Sequence, residues 1–488
     1  MRQLTKRKIL RLAFSLLGVS LFLLSLPLAS YLTLRFSPSV YQETYYGEFL
    51  PKYHALEKQK EQRKIVVIGT SSVAFGLDSA LVEEELAYAG FDYRCVGYGL
   101  YGALGTKLMM DTALPNIGEG DIVLLSPELY PQTLSLYFSG IETLRAIEGN
   151  QDIYSCLDNN DKGSLALAVP SFLAEKSGFL LSGTVAPSSG IYAKESFNEK
   201  GDMKEGLRPH NVMDDYWAGT PMELDMKLFS DDFIEYVHAF SRLLESKKAT
   251  LRWRLPPMNR IALPTDYKAS LPSFYEEAGT RLKLQGLGNP FDCVIEENYF
   301  FDSDFHLNDA GRRLNSLRLV EELKTEWGSS KPNKNAYPDK PDLPKPEKKE
   351  VFGDDSDLAK FVLSYKEGSA SIVGLKEEGE KAKKLVVPTH EGDTPILYLE
   401  ALAEKDCALE EIRIQRNIGY LRDGIFAHCP NLSKIILEES DPSVLHVGWS
   451  LIEESSKARI YVPRGSLSRY RSDYFWGHYS AIMEESEI

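Results

Sequence analysis

The chain has 488 residues, 43% of them hydrophobic and 26% charged, and a formal net charge of -15. That length calls for two or more domains, and the composition is globular rather than disordered. An acidic chain lacks the basic face that phosphate recognition needs, which argues against a general nucleic-acid-binding role. The five cysteines, Cys95, Cys156, Cys293, Cys407 and Cys429, are scattered and never in CxxC spacing. They argue against a structural zinc site and a disulfide-stapled scaffold, and leave only occasional pairing open.

The N-terminus carries the first strong signal. Arg2, Lys6, Arg7, Lys8 and Arg11 precede a charge-free stretch of 23 residues from Leu12 to Leu34, closed by Arg35. A helix needs about 20 apolar residues to cross a bilayer. A cleavable signal peptide is the rival, but its apolar region is typically only about 7–15 residues. The expectation is an uncleaved signal anchor over residues 1–36, with a cytoplasmic N-terminus and the bulk of the chain outside the membrane.

Residues 37–328 follow as one α/β domain. Gln42–Arg63 is polar and helix-compatible, a stalk or a first helix. Lys64–Ile68, Arg94–Val96 and Asp121–Leu125 read as strands separated by helical stretches, and Leu251–Leu255 as a further strand. Such alternation predicts a parallel sheet covered on both faces, a three-layer architecture. Residues 140–240 contain Ser, Gly and Asn patches that suggest long insertions. Asn308–Trp327 predicts a final helix, with Leu314, Leu317, Val320, Leu323 and Trp327 on one face. A Pro- and Lys-rich linker, 329–350, predicts an extended, semi-rigid spacer.

Residues 351–488 show a repeat. Leu409, Ile412 and Ile414 recur at Leu432, Ile435 and Leu437, a period of 23. Degenerate copies lie at Ile460–Pro463 and Leu385–Pro388. The period falls in the range of leucine-rich repeats, in which each copy adds a strand to a stacked core. These residues resemble the BspA-like leucine-rich repeats of bacterial surface proteins. The stretch from Ile460 through Tyr470, Trp476 and Tyr479 resembles that family's C-terminal cap. The resemblance implies a short solenoid and a protein or glycan ligand, with Leu and Ile serving as core.

Candidate chemistry sits at two distant places. Gly69-Thr70-Ser71 lies between a strand and a helix, a turn that lifts a hydroxyl off the sheet edge beside free N–H groups. Alone this is weak, because Ser and Thr at such turns are more often helix caps. Asp302-Ser303-Asp304-Phe305-His306-Leu307-Asn308-Asp309-Ala310-Gly311 precedes the last helix. A His there, oriented by a carboxylate, can serve Ser71 as a base. Asp304 and His306 as metal ligands lack a third partner, so no metal or cofactor is expected. Asn308 and Asp309 read as ordinary N-caps. His210 and His238 have no motif around them.

An early Gly-x-Ser with a late Asp…His-Leu-Asn-x-x-Gly resembles the SGNH (GDSL-like) hydrolase superfamily, over roughly residues 60–325. More narrowly it is similar to a membrane-anchored extracytoplasmic branch, that of teichoic-acid D-alanylation proteins and alginate-type O-acetyltransferases. The resemblance implies Ser71 as nucleophile and His306 as base. The oxyanion would be held by Ser71 and by the backbone N–H of Gly99. The third-strand loop, where the family has Gly-x-Asn-Asp, reads Ser126-Pro127-Glu128-Leu129. Glu128 thus stands near the place of an oxyanion-hole Asn, although an ionised carboxylate cannot donate a hydrogen bond. The family's acidic partner lies three residues before His, where this chain has Ser303. Asp302 is favoured as the partner because it precedes the turn, with Asp304 the alternative.

Two functions remain open from sequence. One is a serine acyl-esterase or O-acyltransferase acting on cell-envelope or exopolysaccharide glycans, with a membrane O-acyltransferase as a possible partner. The other is an inactive SGNH-like scaffold that displays the repeats as a surface-interaction module.

Overall fold

The computed structural model describes residues 36–129, 139–148, 150–188, 190–213, 222–343, 353–366, 368–422, 424–447, 451–452, 457–473 and 476–486. The expected membrane anchor, Leu12–Leu34 with its basic flank, lies outside them. The protein is α/β with several parallel sheets, and it divides into two compact units. One comprises Met1–Ala186 with Ala193–Pro344, the other Lys345–Ile488 with Pro187–Tyr192.

The first unit is built on four parallel strands: β1 (Lys64–Ile68), β2 (Arg94–Tyr98), β3 (Ile122–Leu125) and β4 (Thr250–Trp253), in the order β2-β1-β3-β4, with a separate short parallel pair, β5 (Met258–Asn259) and β6 (Val294–Ile295). Every residue of β1 is buried, as a strand covered on both faces must be. The register is anchored at the N-terminal edge by a buried pair, Lys64 Nζ to Asp121 Oδ2 at 2.6 Å. The Lys64 N–H also donates to Asp121 Oδ1 at 3.0 Å. Ile68 pairs with Tyr98 on one side and Leu125 on the other. Gly69, Gly99 and Ser126 therefore leave the sheet side by side at its C-terminal edge, where open α/β sheets place their ligand crevices.

Helices cover the sheet: α1 (Phe49–Lys58), α2 (Ser71–Gly76), α3 (Ser79–Ala89), α4 (Gly105–Ala113), α5 (Gly140–Ile147), α6 (Gln151–Cys156), α7 (Asn159–Ser182), α8 (Asp231–Ser246), α9 (Tyr267–Leu282) and α10 (Asp309–Glu326). The segment after Gln42 is no stalk, because Phe49, Tyr53 and Leu56 of α1 are buried. The start of the 140–240 region, expected to hold long insertions, supplies the helices α5–α7. α7 is long and apolar enough to cross a membrane by length and composition alone, but it lies mid-chain. Its charged residues are tied into the unit: Lys176 Nζ meets Glu148 at 2.7 Å, and buried Asp161 meets Lys107.

The Pro- and Lys-rich stretch also departs from expectation. Its first part docks on the unit instead of spanning free space. The Lys334 and Asn335 N–H groups each donate to Glu85 at 2.7 Å, and Asn298 Nδ2 donates to the Pro341 carbonyl at 2.8 Å. A buried carboxylate on α3 and a loop amide thus take up backbone groups that a free spacer would leave to water.

In the second unit two sheets enclose one core. β9 (Lys384–Val386), β12 (Glu411–Ile414), β14 (Lys434–Leu437), β16 (Arg459–Pro463) and β17 (Met483–Ser486) form one, all pairs parallel. Leu385, Ile412, Ile435, Ile460 and Met483 align across it and are all buried. The other sheet runs β15 (His446–Val447), β13 (Tyr420–Leu421), β11 (Thr394–Leu399), β8 (Ser369–Leu375), β7 (Phe361–Lys366), with β10 (His390–Glu391) beside β11. At the far end Tyr470 and Trp476 are buried, their Oη and Nε1 donating to the carbonyls of Glu439 at 2.7 Å and Leu445 at 2.6 Å.

Candidate active site

Two close approaches shape the turn after β1. A Cβ on Gly69 would lie 2.4 Å from the Ser126 carbonyl oxygen, and one on Gly99 would lie 2.4 Å from that of Thr70. Only glycine lets the three chain segments leave the sheet this closely. α2 then starts at Ser71, whose side chain points out of the turn.

The opposite wall is the hairpin-like turn before α10. The Phe301 N–H donates to the His306 carbonyl at 2.7 Å, and Phe300 pairs with Leu307. Asn308 does more than cap α10, where its Oδ1 accepts the Gly311 N–H at 2.9 Å. Its Nδ2 also donates to the carbonyls of Asn298 at 2.7 Å and Phe300 at 3.0 Å. Gly311 presses so close to the Tyr299 carbonyl that a Cβ would stand 2.1 Å from it. Asn308 and Gly311 are thus the physical requirements of the turn that presents His306.

Ser71 Oγ lies 2.7 Å from His306 Nε2, and His306 Nδ1 lies 2.7 Å from Asp302 Oδ1. A hydroxyl, an imidazole and a carboxylate thereby form one line of hydrogen bonds. Asp304 takes no part. Its carboxyl accepts from Asn259 Nδ2 at 3.0 Å, and burial pushes it up to about 7. With His306 bonded to Asp302 through one nitrogen and to Ser71 through the other, both ring positions are committed.

Glu128 stands at the expected place and makes an unexpected contact. Its Oε1 accepts the Ser72 N–H at 2.5 Å and the Ser71 hydroxyl at 2.8 Å. The Ser72 N–H therefore converges on Glu128 beside Ser71 Oγ, and the Gly99 backbone stands at the same turn, close against the Thr70 carbonyl. The single Ser71 proton has two acceptors, His306 Nε2 and Glu128 Oε1. Ser71 and Glu128 are both buried, while the side chains of His306 and Asp302 keep 14% and 15% exposure, enough for a small molecule to approach from one side.

Three residues of the site were missed in the sequence. Phe75, on α2, stacks on the His306 ring at 3.9 Å and 10°. Arg208 lies over the Phe75 ring, its Cζ 5.2 Å from the centroid. Its Nη1 donates to the carbonyls of Phe75 at 2.9 Å and Leu307 at 3.1 Å, joining the two walls. Burial, and the neighbouring Arg312, bring Arg208 down to about 10. Tyr45 is the third: burial, with the charges of Glu128 and Asp302, pushes its hydroxyl well above the ordinary value. No periodic or motif signal marks any of the three. His238 lies apart from this site, its Nε2 2.9 Å from the Arg281 carbonyl oxygen on the α8–α9 side.

No protein-family model matches the chain, and no curated protein matches it.

Proposed function

We propose that the protein is a membrane-anchored serine acyl-esterase or O-acyltransferase of the SGNH type. In this reading it works outside the cell membrane on acyl groups of cell-envelope or exopolysaccharide glycans. The observation that carries the reading is the line Ser71–His306–Asp302, with 2.7 Å at both links.

The chemistry follows from that line. His306 Nε2 accepts the Ser71 proton as Oγ attacks the acyl carbon, and Asp302 holds the imidazole tautomer and balances the imidazolium. The Ser72 N–H supplies one donor to the oxyanion once Glu128 yields it. His306 then returns the proton to the leaving alcohol, and an ester on Ser71 remains. Water or a sugar hydroxyl, deprotonated by the same imidazole, releases the acyl group. A membrane O-acyltransferase would be a fitting partner for the transfer route.

The apolar stretch Leu12–Leu34 supports a single-pass anchor with a cytoplasmic N-terminus. The 23-residue repeat and the aligned strands of the second unit support a leucine-rich repeat module that binds a protein or glycan. A second reading, an inactive scaffold that displays this module, is favoured by one observation: the Glu128 carboxyl occupies the Ser72 N–H. The two readings part in one experiment. A fluorophosphonate probe should label Ser71 in the full chain, and labelling should vanish in Ser71→Ala and His306→Ala. Absence of labelling, together with no acyl release above the Ser71→Ala background, would refute the enzymatic reading.

A further inference from the structure

Of the five cysteines, two face one another. Cys407 Sγ and Cys429 Sγ lie 3.4 Å apart, both buried in the core of the second unit. The backbone beside them is joined as well, the Cys407 N–H donating to the His428 carbonyl at 2.9 Å. The other three are separate: Cys293 Sγ donates to the Leu255 carbonyl, Cys156 Sγ to that of Asp152, and Cys95 is buried against β1. Two thiols on backbones at hydrogen-bonding distance meet the first condition for a disulfide, which is that neither chain must travel. The side-chain contact with Cys429 pulls the Cys407 thiol down, so Cys407 is the better nucleophile of the two.

We propose that Cys407 and Cys429 are a disulfide site, closed by a disulfide-bearing oxidant to tie successive strands of the parallel sheet together. The Cys407 thiolate attacks one sulfur of the oxidant, forming a mixed disulfide and expelling one thiolate. The Cys429 thiol, giving up its proton, then attacks the Cys407 sulfur and expels the second thiolate. The pair loses two electrons and two protons, and the oxidant leaves as two thiols. Because both sulfurs end up buried, the exchange belongs to the folding chain, and the finished bond is shielded from reductants. The loop so closed joins residues 22 apart, one just before β12 and one just before β14, and contains β12 and β13. The proposal is independent of any role for Ser71.

The test is refolding of the full chain in detergent with oxidised and reduced glutathione. Denaturing N-ethylmaleimide labelling and peptide mass mapping then follow. Three labelled cysteines and a Cys407–Cys429 cross-linked peptide are expected, rising to five labelled cysteines after dithiothreitol. The bond should raise the unfolding midpoint of the second unit by on the order of 10 °C. The double variant Cys407→Ser with Cys429→Ser should show one midpoint in both redox states. Five labelled cysteines before reduction, or a cross-link through any other pair, would overturn the proposal.

Discussion

On the proposed acyl-enzyme chemistry, replacing Glu128 with Gln should speed the reaction. In the resting site Glu128 Oε1 takes both the Ser72 N–H at 2.5 Å and the Ser71 hydroxyl at 2.8 Å. The oxyanion of the tetrahedral intermediate needs that same N–H, so it forms within about 4 Å of the carboxylate. Two unit charges at that distance repel by about 4 kcal/mol at an effective dielectric of about 20. Glutamine has the same shape and none of the charge, and it accepts the Ser71 proton less strongly, which leaves more of that bond to His306. Since 1.36 kcal/mol is tenfold in rate, removing even half of the repulsion raises kcat/KM by about tenfold or more. The assay is p-nitrophenol release from p-nitrophenyl acetate at neutral pH, with Ser71→Ala as background and probe labelling of Ser71 as a second rate. A Glu128→Gln variant no faster than the unmodified chain would refute the reasoning and make the carboxylate a required part of the site.

Asp302→Asn should lower kcat/KM by on the order of 10³–10⁴, because an amide there favours the wrong imidazole tautomer. Asp304→Asn should change it by less than about threefold, and the reverse order in the same assay would transfer the acidic role to Asp304. Asp304 has a separate signature in stability, because burial holds it up to about 7, far above the ordinary 3.8. Below about pH 4 folded and unfolded chains both carry its proton and stability is intact. As the pH climbs to 7 the unfolded chain ionises while the folded one does not, and stability falls by on the order of 4 kcal/mol. Urea unfolding at pH 5 and pH 8 spans the larger part of that loss, and it should show about 2–3 kcal/mol in the native chain and much less in Asp304→Asn. Gly99→Ala puts a Cβ 2.4 Å from the Thr70 carbonyl and 2.8 Å from Val73 Cβ. It should cost about 1–3 kcal/mol in the same unfolding measurement and slow probe labelling of Ser71; unchanged values in both would show that the turn can yield.

What could be read in the sequence was what backbone physics demands of particular residues. Ile65, Val66, Val67 and Ile68 form an unbroken apolar run because a central parallel strand is buried on both faces. Asn308 was legible as the N-cap of the last helix, and Asn308 with Gly311 only through the resemblance; that the amide also donates to two carbonyls and that Gly311 has no room for a Cβ emerged from the fold. Asp302 was favoured over Asp304 only because it precedes the turn, since both lie close enough in sequence to reach His306. Asn259, 45 residues from Asp304, decides between them by taking the latter's carboxyl. α7 escaped notice because its exposed face carries Gly, Ala and Ser alongside Leu167 and Leu181, so neither face stands out by polarity. Arg208 and Tyr45 reach the site only through the folded chain, and nothing local announces them.

The walls of the site are fixed by the fold, and Glu128 is what remains to be moved. Ser71 is set by α2, His306 by the Asn308-clamped turn, and the two walls are joined by Arg208 through the Phe75 and Leu307 carbonyls. Glu128 sits on the loop after β3, and any acyl oxygen that uses the Ser72 N–H must displace its Oε1. A neutral acyl group competes for that single donor. An acyl group bearing its own carboxylate would in addition face the Glu128 charge at close range, where screening by salt is weakest. On the proposed activity, small uncharged acyl esters such as acetyl should therefore be favoured over anionic ones such as succinyl. The preference should shrink in Glu128→Gln, whose side chain keeps the contact and drops the charge.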